Sequence, residues 1–124
     1  MIKKEITLCS KQVTLGYCFA TEIAYKNMTN EDMFDYAKKA VEAIKNQRDP
    51  DIEKTIYAIL ACMMAYYEDA DKAPVNDSEI MNEATPVEIG NAMFTILNMR
   101  SEFYHVPSGD SEDNTQEGAE QKNA

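Results

Sequence analysis

Few residues in this chain are equipped for chemistry. His105 is the only histidine, placed after a helical stretch in Phe103-Tyr104-His105-Val106-Pro107. A histidine at a helix end ordinarily bonds the terminal carbonyls, and nothing in the sequence sets a nucleophile beside this one. Cys9, Cys18 and Cys62 are odd in number and form no CxxC pair, so they read as reduced thiols rather than a disulfide or zinc site. Asp69-Ala70-Asp71 begins like a calcium loop. The pattern fails at Ala73, at Pro74 where glycine is required, and at Ile80 where a bidentate glutamate is required. Glu79 and Glu83 share a helix face but need metal ligands from elsewhere. The chain has no glycine-rich phosphate loop, no G-x-S-x-G and no H-E-x-x-H. The expectation is a protein without catalytic residues, cofactor or metal.

Its excess lies in soft and aromatic apolar groups: eight methionines and seven tyrosines in 124 residues. Methionine adapts to irregular apolar surfaces, and tyrosine suits an interface with one wet end. Met63, Met64, Tyr66, Tyr67, Met93 and Phe103 are the candidate partner-binding residues. Core packing is the competing use of each. Net charge is −10, which repels a phosphate backbone and argues against unassisted nucleic-acid binding. The longest apolar run, Ile56 to Tyr67, has twelve residues, against roughly 20 for a membrane span. No apolar run follows Lys3-Lys4, so no signal peptide is expected.

These groups need a scaffold, and the hydrophobic period supplies one. Ile2, Lys4, Ile6 and Leu8 alternate with Lys3, Glu5 and Thr7, and Val13, Leu15 and Tyr17 alternate with Gln12, Thr14 and Gly16. Two period-two runs split at Ser10-Lys11 predict an antiparallel hairpin with one apolar face, its turn type open. Phe19 to Tyr25 suits a short helical turn, followed by punctuation at Asn27-Met28-Thr29-Asn30. Met33, Phe34, Ala37, Ala40, Val41 and Ile44 predict an amphipathic helix to about Asn46. A helix from about Pro50 to Glu68 is polar first and then apolar on every side, so it must be central or covered by a partner. Asn76-Asp77-Ser78 caps a short helix to about Ala84. Thr85-Pro86-Val87-Glu88 carries a reciprocal cap with proline at the first helical position, opening a last helix to about Tyr104. Pro107 and Gly109 end it. The fold class is α+β, mostly α: a hairpin packed on a small helical bundle over residues 1–107. Residues 108–124 carry two alanines as their only apolar members and read as a disordered acidic tail.

The order of elements resembles the phage tail assembly chaperones of long-tailed bacteriophages and prophages. The likeness is carried by Lys4-Glu5-Ile6-Thr7-Leu8 with Gln12-Val13-Thr14-Leu15, by Tyr17-Cys18-Phe19-Ala20-Thr21-Glu22-Ile23, by Ile56-Tyr57-Ala58-Ile59-Leu60-Ala61, and by Thr85-Pro86-Val87-Glu88-Ile89. The resemblance implies a cytoplasmic, non-enzymatic chaperone that binds the apolar helices of the tape-measure protein. It also implies help to the tail-tube protein during assembly and absence from the mature virion. Homo-oligomerisation is compatible with it. The alternative is an acidic, DNA-mimicking inhibitor of a host nuclease, motivated by the net charge; Lys38, Lys39, Lys45 and Arg48 interrupt the acids such a mimic would align.

Overall fold

In the computed structural model, which describes residues 1–105, a hairpin of β1 (Ile2–Leu8) and β2 (Lys11–Tyr17) precedes five α-helices. These are α1 (Phe19–Thr29), α2 (Met33–Lys45), α3 (Ile52–Tyr67), α4 (Asp77–Glu83) and α5 (Pro86–His105). One 3-10 turn, Ala70–Lys72, joins α3 to α4. The expected tail at 108–124 lies outside the described residues.

The strands pair antiparallel with Ile6 opposite Val13 and Leu8 opposite Lys11. Ile6, Leu8, Val13, Leu15 and Tyr17 form the buried face that the alternation predicts. The connection is Cys9-Ser10, one residue earlier than the expected break. Both residues take left-handed backbone, with φ of 54° and 62°, the geometry of a tight primed turn. Neither is glycine or asparagine, so the turn is locally strained. Compensation comes from the far end of the chain. Glu88 accepts from the Cys9 N–H at 3.0 Å and from the Ser10 N–H at 3.2 Å. The same carboxylate accepts from the Thr85 N–H at 3.1 Å while Thr85 Oγ1 accepts from the Glu88 N–H at 3.2 Å. The reciprocal cap of α5 thus also clamps the hairpin turn.

α1 is a full helix of 11 residues rather than a short turn. Asn30, which looks like punctuation, is its left-handed C-cap at φ 60°, with its N–H donating to the Lys26 carbonyl. α2 buries Met33, Tyr36, Ala40 and Ala43, so Phe34 and Val41, expected on its apolar face, point outward instead. The reason is a partner for the tyrosine: Tyr36 OH and Thr55 Oγ1 lie 2.8 Å apart in the core. Asp51 caps α3, accepting from the Lys54 N–H at 3.0 Å, and Pro50 stays outside the helix. α3 is central, packing on β2, α1 and α5 and burying Ala58, Ile59, Ala61, Cys62 and Met63. α5 lies along β1 and buries Ile89, Ala92, Met93, Ile96 and Met99. Gly16 admits the close approach of α3 to β2: a Cβ there would stand 3.2 Å from Tyr66 Cβ and 2.5 Å from Met1 Sδ.

Candidate functional site

The six residues singled out in the sequence fall in four places. Met63, Met64 and Tyr67 line one apolar cleft between the C-terminal half of α3 and the segment leading into α4. Met28, Leu60 and Val75 complete its walls, and its volume is about 360 Å³. Helical spacing explains the set: 60, 63, 64 and 67 share one face of α3. Met63 is only 5% exposed and forms the floor, whereas Met64 is 54% exposed and stands at the mouth. Glu68, Asp69 and Asp77 rim the opening, so the cleft presents an apolar interior with an acidic border. Tyr66 lies on a neighbouring face, edge-on to Tyr67 with centroids 4.8 Å apart and with Lys3 Nζ 6.0 Å from its ring. It is adjacent to the cleft and does not line it.

Met93 departs from the expectation. It is 4% exposed within the core side of α5, with neighbours on that face Ile89, Ala92 and Ile96 also buried. Its burial leaves it no free surface to offer a partner. Phe103 is half-buried and belongs to a separate aromatic cluster, its ring centroid 5.6 Å from Tyr17 and 5.0 Å from Phe19.

That cluster contains residues the sequence reading did not single out. Phe19, 63% exposed, and Tyr104, 49% exposed, belong to it with ring centroids 6.5 Å apart, and Ile23, one turn from Phe19 on α1, and Phe34 are also exposed. Arg100 sits between Phe34 and Tyr104, its guanidinium carbon 5.5 Å from the Phe34 centroid and 4.7 Å from that of Tyr104. Its Nε is 3.4 Å from Glu22 Oε2 but lacks a well-directed hydrogen bond. Glu22 is already accepting from Tyr17 OH at 2.7 Å and Tyr104 OH at 2.6 Å. Burial, and then the Glu22 carboxylate, push the Tyr17 hydroxyl pKa well up. The i, i+4 spacing of Phe19 and Ile23 was the available signal. Their outward direction depends on α1 burying Thr21 and Tyr25 instead.

The polar groups serve structure. His105 Nδ1 lies 2.6 Å from the Ser101 carbonyl one turn back. Cys62 is fully buried, which pushes its thiol pKa up and suppresses the thiolate. Asp69 accepts from the Asp71 N–H at 3.0 Å, capping the 3-10 turn. Glu79 holds Lys11 Nζ at 2.8 Å, and that bond lowers its carboxyl pKa. Burial opposes ionisation of Glu31, but hydrogen bonds from Lys39, Tyr25 and Lys54 outweigh it and hold its pKa below the usual range. Among the described residues no three or more His, Cys, Asp or Glu side chains are placed to hold a metal ion. Among them, too, no helix is long and apolar enough to cross a membrane. No family model, curated protein or solved structure matches the chain.

Proposed function

We propose that this chain is a non-enzymatic binding protein that shelters an apolar helix of a client, acting as a phage tail assembly chaperone. The client in that reading is the tape-measure protein, with assistance to the tail-tube protein, in the host cytoplasm and outside the mature virion. One observation carries it: the α3 cleft floored by Met63 and flanked by Met64, Leu60 and Tyr67 lies open beside a core that is already closed. An open apolar cleft of this size accommodates one or two large side chains projecting from one helix face. Methionine walls tolerate different side chains in succession, which suits a client with many similar helices. The acidic border favours clients with Lys or Arg beside their apolar anchors.

The test is co-expression with the tape-measure protein that this reading requires as client. Wild-type chain is expected to keep that protein soluble. Met64→Asp, which places a charge at the exposed mouth of the cleft without touching the core, is expected to let it precipitate. Equal precipitation with and without the wild-type chain would overturn the proposal.

A further inference from the structure

The two edges of the hairpin are treated differently. Glu5 faces Thr14 across the strands, yet the Thr14 N–H turns away from β1 and donates to the Tyr67 hydroxyl at 3.0 Å. Glu5–Thr14 is therefore a pair that exchanges no ladder bonds, and alternation gives Lys3–Gly16 and Thr7–Gln12 the same character. On β2 two of the six outward groups are taken by helix side chains: besides Tyr67 on the Thr14 N–H, Thr21 Oγ1 donates to the Gly16 carbonyl at 2.9 Å. On β1 the outward N–H and C=O groups of Lys3, Glu5 and Thr7 meet no hydrogen-bond partner among the described residues. All three side chains are exposed. Neither Lys3 nor Glu5 has an ion-pair partner among the described residues, whereas Lys4 reaches Glu102 at 3.9 Å.

We propose that β1 is a docking edge for β1 of a second copy, the two running antiparallel about a two-fold axis at Lys4. The result is a single sheet of four strands with both apolar faces on one side. Charge selects this register. An axis normal to the sheet must pass through one residue for the two apolar faces to agree. Through Glu5 it opposes Glu5 to itself, and through Lys3 it opposes Lys3 to itself, both unfavourable. Through Ile6 it sets Glu5 against uncharged Thr7 and runs Lys3 into the left-handed turn at Cys9. Through Lys4 it sets Lys3 against Glu5 twice and Ile2 against Ile6 twice, and Lys3 and Glu5 also exchange their free backbone bonds. The one like pair, Lys4 with Lys4, is countered by Glu102 of each copy. A two-stranded hairpin is marginal alone, so pairing also adds order to the smallest layer of the fold.

Sedimentation of the full chain from about 10 to about 500 µM tests this, the range suiting a small interface. The expected result is a concentration-dependent dimer. Lys3→Glu alone and Glu5→Lys alone are each expected to weaken it by about tenfold or more, and the double swap to restore it. Glu5→Pro removes only an outward N–H that the hairpin ladder does not use and is expected to leave a folded monomer. A chain that is monomeric throughout overturns the proposal. So does a dimer indifferent to Glu5→Pro, or one that the charge swap fails to restore.

Discussion

Replacing Glu88 tests the link between the α5 cap and the hairpin turn. Its carboxylate accepts three backbone N–H groups: Oε1 from Cys9 and Thr85, Oε2 from Ser10. A hydrogen bond to a charged group contributes about 1.5–3 kcal/mol when desolvated. This carboxylate is at the surface, so screening reduces each to about 0.7 kcal/mol. Glu88→Ala is therefore expected to cost about 2 kcal/mol, a fall in Tm of about 10 °C for a domain of this size. Glu88→Gln keeps one accepting oxygen and faces the other donor with an N–H, so about half the loss is expected. Acid adds a second check. Hydrogen bonds from the Thr85, Ser10 and Cys9 backbone hold the Glu88 pKa below the usual range. Its contribution is thus complete above about pH 4.3, the unfolded value, and disappears as pH falls through the lower folded value. Urea melts of the three proteins at neutral and acid pH decide it. A Glu88→Ala loss below about 0.5 kcal/mol, or one that does not shrink in acid, refutes the clamp.

Two further outcomes follow from buried hydroxyls. Thr55 Oγ1 gives its proton to the Asp51 carbonyl at 2.8 Å, so Tyr36 OH must be the donor in the Tyr36–Thr55 bond. Thr55→Val strands that donor and is expected to cost about 2–3 kcal/mol, against about 1 kcal/mol for Tyr36→Phe; the reverse order in denaturant melts would contradict the assignment. At high pH, burial pushes the Tyr36 pKa up to about 12 and raises those of Tyr17 and Tyr25. Folded values above the unfolded value of about 10 mean full stability below pH 10, lost as pH climbs. Tm is expected to decline from about pH 10 toward pH 12, less steeply in Tyr36→Phe, and a flat profile would disprove it.

Local signals were legible where the stabilising groups are close in sequence. Thr85 and Glu88 cap each other within one turn, and strand alternation fixes which face of the hairpin is buried, so both could be read directly. The hairpin turn could not be. Cys9 and Ser10 adopt left-handed backbone while Glu88, 79 residues from Cys9, accepts their N–H groups, and no short-range pattern encodes that. On α2 two apolar phases overlap, one through Phe34 and Val41 and one through Tyr36 and Ala43. The Thr55 hydroxyl on another helix favours the second. On α3 the apolar residues surround the helix, so the period has no direction to report. Packing against β2, α1 and α5 decides that Met63 is floor and Met64 is mouth. Met93 failed as a surface candidate for the same reason: side-chain type marks adaptability, and only tertiary placement marks access.

The hydroxyls of Tyr67 and Thr21 on the β2 edge carry a wider consequence. Indefinite lateral growth of a sheet requires every unit to offer a vacant side to the next. Here Tyr67 and Thr21 stand along one side and take the Thr14 N–H and the Gly16 carbonyl, which steers association through strands to the other side. An exposed edge strand, usually a hazard for fibre formation, is thereby biased toward a finite pair.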